Sequence, residues 1–190
     1  MANGLRRSGI SGFLRMAVKQ LRIAIVGCGT AGPAAAVLLR RLGHEVVLFE
    51  RAASCKAVGA GFLLQPSGMG VLRELGILDA VLAHSARVER LHVLDDSGAT
   101  LLDLRYREIG EGNFGAGLHR PVLLRHLSAA MREAGVDVRW GWEIEKVEKR
   151  PEGWSLETVG GEQCGGFELL VIADGARSKL RDLVGSGGVN

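Results

Sequence analysis

Cysteine is scarce in this chain, and Cys28, Cys55 and Cys164 form no Cys-x-x-Cys pair. A disulfide framework and a structural zinc site are therefore excluded as organising devices, and a reducing, cytoplasmic compartment is the natural expectation. No apolar run approaches the ~20 residues needed to span a bilayer, so no membrane partner is expected. His44, His84, His92 and His126 stand at no metal or triad spacing and read as loop or surface residues. Ser178 has no histidine or acid at a telling distance, which removes it as a nucleophile. Internal repeats are absent. Acidic residues are missing from positions 1 to 22, which hold Arg6, Arg7, Arg15, Lys19 and Arg22. That stretch accounts for the net charge of +3, because 24 basic residues less these 5 leaves 19 against 21 acidic ones. The globular part is not basic, and no nucleic-acid partner is expected.

Glycine is abundant instead, at 28 of 190 residues, which suits an α/β protein with many tight turns. The length indicates one domain, or one and part of another, and 47% apolar residues suffice for an ordinary core. The organising stretch is residues 21–51. Ile23 to Val26 is short, apolar and β-branched, as a strand buried on both faces should be. Gly27, Gly29 and Gly32 follow at Gly-x-Gly-x-x-Gly spacing, and a helical pattern opens over Thr30, Ala31 and Pro33. The three glycines serve different ends: the first makes the tight turn, the second lets backbone approach a pyrophosphate, and the third lets helix pack closely on strand. The phosphates would lie on unpaired N–H groups at the positive end of the helix dipole. A second strand, Glu45 to Phe49, closes on Glu50, placed where an acid takes a ribose 2′-hydroxyl and repels a 2′-phosphate. This stretch reads as binding the ADP half of FAD or NAD.

Residues 1–20 read as a disordered basic extension, with Met16 a natural start just before the first strand. Arg6–Arg7 lacks the sustained apolar run of a secretion signal, while composition alone allows an organellar transit peptide. Ala52 to Leu64 reads as a loop containing Gly59-Ala60-Gly61. Pro66 starts a helix with Val71, Leu72 and Leu75 inward and Gly76 as its stop, and Ile77 to Ala83 forms a shorter one. Leu91–Leu94 and Thr100–Leu104 flank Asp95-Asp96-Ser97-Gly98 as a hairpin, for which no covering sheet is visible. Pro121 to Ala134 is a helix with Val122, Leu123, Leu127 and Ala130 on its buried side. Val136–Trp140 is a core strand, Ile144–Lys149 and Trp154–Val159 begin an antiparallel meander, and Leu169–Ala173 is a further core strand. It runs into Asp174-Gly175-Ala176-Arg177-Ser178-Lys179-Leu180-Arg181. Residues 186–190 read as a flexible tail.

Four motifs together resemble the FAD-dependent monooxygenases of the aromatic-hydroxylase type, over about residues 21–185. They are Gly27-x-Gly29-x-x-Gly32 with Glu50-Arg51, then Gly59-Ala60-Gly61-Phe62-Leu63-Leu64-Gln65-Pro66, His119-Arg120-Pro121, and the 172–181 segment around Asp174-Gly175 and Arg181. The resemblance implies a Rossmann-like FAD-binding fold with a central parallel sheet, a β-meander and part of a substrate-domain hairpin, residues 86–110 being the incomplete insertion. It implies FAD and NAD(P)H as cofactors. It places Gly27, Gly29, Thr30, Ala31, Gly32, Glu50, Arg51, Gly61, Arg120, Asp174, Gly175 and Arg181 at the cofactor. NAD(P)H would reduce FAD, and one oxygen atom of O2 would pass to an aromatic or similar small molecule, the flavin carrying the chemistry. No catalytic side chain and no metal ligand is indicated.

The residues keep alternatives open. Arg120 at a helix start, where the dipole disfavours a cation, argues for an anionic partner over a solvated surface role. Asp174 serves either a ligand at the carboxyl edge of the sheet or a simple turn. Arg177, Lys179 and Arg181 either hold pyrophosphate or form a solvated face. Trp140-x-Trp142-x-Ile144 resembles a halogenase motif, but Glu145 replaces its proline, and both tryptophans are expected as core on one strand face. The family continues into a Gly-Asp segment and a larger substrate-domain sheet, so an N-terminal portion of a longer enzyme is expected. The competing readings are an NAD-dependent dehydrogenase and a non-catalytic nucleotide-binding remnant.

Overall fold

The computed structural model describes residues 19–54, 60–181 and 183. The 1–18 part of the extension, Gly59 and the tail 186–190 lie outside the described residues. The first strand, β1 (Arg22–Val26), is buried where the sequence demands it: Ile23, Ala24 and Ile25 have no exposure. Full burial of each branched side chain stabilises by about 1.5–3 kcal/mol relative to exposure. Helix α1 (Ala31–Arg41) leads into β2 (Glu45–Glu50), which pairs with β1 in parallel from Arg22↔Glu45 to Val26↔Phe49. Gly43, at φ +93°, makes the reversal between them.

β3 (Gly61–Leu64) precedes α2 (Pro66–Glu74) and α3 (Leu78–Leu82). Then come β4 (Ala86–Val88), β5 (Arg90–Leu94), β6 (Thr100–Arg105), a 3-10 turn at Tyr106–Glu108, and β7 (Gly115–His119). Helix α4 (Arg120–Glu133) feeds β8 (Asp137–Trp140). The meander is β9 (Ile144–Arg150), β10 (Gly153–Thr158) and β11 (Gln163–Phe167), and the last strand is β12 (Leu169–Ile172). The central sheet is wholly parallel in the order β12-β1-β2-β8. One hydrophobic cluster joins its lower face to α1, α2, α3 and α4 through Ile23, Ile25, Val37, Leu48, Leu72, Val81 and Leu127. The other joins its upper face to the meander through Ala24, Val47, Phe49, Leu156 and Phe167. Alternation along β2 decides the split: Val46 and Leu48 face one cluster, Val47 and Phe49 the other.

The structure corrects the sequence reading at five places. Residues 61–64 are a strand, not a loop, and with β7 and β4 they build a three-stranded antiparallel sheet, β3-β7-β4, that the sequence did not signal. Val71 is exposed, and Met69 takes its inward place beside Leu72. On α4, Val122 is only half-buried, while Leu124 and Met131 are buried. His44 is buried, and its Nδ1 accepts the Leu21 N–H at 3.3 Å, so it is a satisfied interior group. The two tryptophans do not share a face, because Gly141 at φ +78° breaks the alternation after β8. Trp142 packs on Phe49 with ring centroids 5.3 Å apart, and Trp140 belongs to neither cluster.

The β5–β6 hairpin is as bare as its sequence suggested. Leu101 is 67% exposed and Leu94 49%. It is held by its own cross-strand pairs, notably Arg90 donating to both carboxylate oxygens of Asp103 at 2.5 and 2.7 Å.

Candidate functional site

The carboxyl ends of β1, β2 and β12 converge on the glycine turn. Gly27 adopts φ +107°, and its N–H donates to the Phe49 carbonyl at 2.8 Å. A Cβ there would stand 2.4 Å from the Ala173 carbonyl oxygen and 2.8 Å from the Asp174 Cα. Contact at this range allows only glycine, and it brings the first and fourth motifs together. Gly32 lies in the first turn of α1, where a Cβ would meet the Gly27 carbonyl oxygen at 1.9 Å. Gly29 differs from both. It has no positive φ, and a Cβ on it would meet nothing within 4 Å. The fold itself makes no demand for glycine at 29.

The start of α1 is shaped for an anion. Thr30 caps it without a side-chain hydrogen bond, and no acidic residue stands in the first turn. Gly29, Thr30 and Ala31 are exposed in succession at the positive end of the helix, where the first N–H groups have no intrahelical partner. Glu50 closes the mouth from the side. Its Oε2 accepts the Cys28 N–H at 2.7 Å and its Oε1 accepts the Ala52 N–H at 2.9 Å. Each carboxylate oxygen keeps a second lone pair, which is what a pair of ribose hydroxyls requires. The residues therefore fit the adenosine and pyrophosphate of a dinucleotide.

The remaining site residues fall into two groups. Asp174 and Gly175 follow β12, anchored where the Ala173 N–H donates to the Val26 carbonyl at 2.8 Å. Asp174 is exposed against the Gly27 turn. Arg181 folds back on its own segment, donating from Nη2 to the Ala176 carbonyl at 3.0 Å. Arg177 and Lys179 are exposed. Gly61 belongs to the second sheet, where the register Gly61↔His119 sets Arg120, the first residue of α4, next to the start of β3. Arg120 is exposed at the first position of α4, with no acid in that turn and no ion-pair partner among the described residues. Arg51 is also exposed, beside Glu50.

Topology places the start of α4, and Arg120 with it, at the carboxyl edge of the central sheet. Helices α1 and α4 feed β2 and β8, which are parallel neighbours. Their C-termini meet where Arg40 Nε donates to the Ala134 carbonyl at 3.4 Å. Both helices therefore begin at the carboxyl edge of the sheet, the edge that holds Glu50. Two features of the site had no local signal. The Cys28 amide becomes a ligand of Glu50 only once β2 lies beside β1, and Trp140 comes to stand opposite Glu50 only through the β2–β8 register. Among the described residues there is no cluster of three or more potential metal ligands, and no helix long and apolar enough to cross a membrane.

Residues 20–189 match the family described as FAD binding domain. The chain is 34% identical over 170 residues to 3-amino-4-hydroxybenzoate 2-monooxygenase of Streptomyces cremeus, covering 87% of this chain and 42% of that protein. It is 29% identical to 6-hydroxynicotinate 3-monooxygenase of Bordetella bronchiseptica, covering 85% and 42%. Among solved structures, 2-methyl-3-hydroxypyridine-5-carboxylic acid oxygenase superposes with a TM-score of 0.71 at 32% identity, covering 88% of this chain and 43% of that one. CtdE in complex with FAD, at 23% identity and a TM-score of 0.66, shows the shared fold. The chain thus spans about two-fifths of the length of the relatives it matches.

Proposed function

From the premise that this chain belongs to the FAD-binding domain family, we propose that it supplies the dinucleotide-binding part of an NAD(P)H-dependent monooxygenase acting on an aromatic or similar small molecule. One observation carries the reading: the Glu50 carboxylate sits on the glycine turn, bonded to the Cys28 amide, while Gly29 leaves that turn open to a ligand. When bound, FAD supplies the hydride acceptor and the oxygen-activating centre. The protein's own work is placement. The amides of Gly29, Thr30 and Ala31 hold pyrophosphate, and Glu50 orients the ribose without moving, because two backbone N–H groups already fix its oxygens. Arg120, exposed at the helix start with no acid in its turn, supplies a charge partner for the phosphates. Asp174 and Gly175 follow β12 against the Gly27 turn, and Arg51, exposed next to Glu50, is a further charge that would meet the nucleotide. Arg181 braces the 174–181 segment through Ala176.

Similarity to monooxygenases of hydroxybenzoate- and hydroxynicotinate-type compounds supports the aromatic substrate class. Purification followed by a visible spectrum tests the reading. A yellow protein that releases FAD on denaturation is expected. A colourless protein that takes up NAD and ignores FAD would overturn it in favour of a dehydrogenase.

A further inference from the structure

Trp140 ends β8 directly opposite Glu50 in the parallel β2–β8 register. Partners in a parallel pair project to the same face, so indole and carboxylate stand side by side on backbones about 4.8 Å apart. The indole is half-buried and packs into neither hydrophobic cluster, whereas Trp142 is spent on Phe49 at 5.3 Å. A large aromatic side chain outside both cores, at the mouth of a ligand site, calls for a partner that the described residues do not provide.

The course of a bound nucleotide is set by two fixed points. Pyrophosphate lies on the amides beyond β1, and the ribose lies on Glu50 at the end of β2. In the order β12-β1-β2-β8 the next strand along that line is β8, one strand spacing past the ribose. We propose that the Trp140 indole is the platform on which the adenine ring of FAD stacks. This rests on the FAD-site reading above. The platform is tied to the ribose site by backbone bonds: the Gly141 N–H donates to the Ala52 carbonyl at 3.0 Å and the Trp142 N–H to the Glu50 carbonyl at 2.9 Å. Indole and carboxylate therefore hold one spacing, matched to a base and its sugar. Adenine carries no charge and offers two flat faces, so stacking is the contact through which this position gains affinity.

ADP is the probe, because it holds the adenosine and pyrophosphate without the flavin. Parent, Trp140→Phe, Trp140→Ala and Glu50→Ala chains are titrated with ADP by calorimetry and by intrinsic tryptophan fluorescence. ADP is expected to quench the parent's emission. Trp140→Ala is expected to weaken ADP binding about tenfold to a hundredfold, the range for loss of one base–aromatic stack. Trp140→Phe is expected to keep most of the affinity and lose the larger part of the quench, a pattern that a purely structural tryptophan would not give. Unchanged ADP affinity in Trp140→Ala, with Glu50→Ala impaired, overturns the platform and leaves the FAD site standing. Equal losses in folded Trp140→Phe and Trp140→Ala chains also overturn stacking. A parent chain that binds no ADP overturns the site and the platform together.

Discussion

A Cβ on Gly32 would stand 1.9 Å from the carbonyl oxygen of Gly27, whereas a Cβ on Gly29, three residues earlier, would meet nothing within 4 Å. Glycines of one motif therefore answer to different masters. Gly32→Ala is expected to damage folding, because the clash is with backbone that holds the β1–α1 turn. Gly29→Ala is expected to leave the melting temperature near the parent's and to lower FAD affinity by at least tenfold. Thermal denaturation beside FAD titration separates the two, and a Gly29→Ala chain that binds FAD normally would remove the ligand explanation for that glycine.

Glu50 is the next test, since its carboxylate bonds the Cys28 and Ala52 amides and is assigned the ribose. Charge-assisted hydrogen bonds contribute about 1.5–3 kcal/mol, against about 1 for neutral ones. Glu50→Gln keeps the shape and loses the charge, so a fall of about tenfold in FAD affinity is expected, and more for Glu50→Ala. Titration of flavin-free protein measures both. Equal affinities across the three chains would dissociate Glu50 from the ribose.

The contrast between legible and hidden parts of this fold follows from where the information lies. The run Ile23–Glu50 could be read because each step is local: a β-branched strand, glycines at fixed spacing, a proline in the first helical turn, an acid at the next strand end. β7 could not be read, since Gly115-Ala116-Gly117 has the composition of a turn. Its glycine at 115 serves packing instead, because a Cβ there would be 2.7 Å from the Tyr106 hydroxyl and 2.9 Å from Leu63 Cδ1. The faces of Trp140 and Trp142 were hidden for another reason. They depend on one positive φ at Gly141, and the period-2 rule assumes an unbroken strand. Glu50 was legible as an acid at the right distance, but its bond to Cys28 and the arrival of Arg120 at the same edge are products of topology.

Tyr106, the single tyrosine, has no exposure and donates its hydroxyl to Gln65 Oε1 at 2.9 Å. It thereby ties the segment after the hairpin to the junction of β3 and α2. Tyr106→Phe keeps the ring and removes the bond, for an expected cost of about 1 kcal/mol. In a domain of this size that lowers the melting temperature by about 2–4 °C. Calorimetry of the two chains decides it, and an unchanged melting temperature would show that the hydroxyl contributes nothing net.

Acid sensitivity is expected from α4. The Nε2 atom of His126 is buried without a hydrogen-bond partner, and its ring stacks on His84 at a centroid distance of 6.3 Å. Burial holds its pKa below the ordinary value, with Arg125 and His84 adding repulsion in that order. The neutral imidazole is therefore the folded form, and the unfolded chain binds the proton more readily. Above the unfolded value of about 6.5 both states are neutral and no stability is lost. Stability declines as pH falls below that point, and the loss is complete once pH has passed through the lowered folded value. Melting temperatures of the parent should thus drop between about pH 7.5 and pH 5 by more than those of His126→Leu, which has no proton to gain. His84→Asn removes one source of repulsion and should shrink the drop without abolishing it. Parallel melting curves for parent and His126→Leu across this range would clear His126 of any part in acid denaturation.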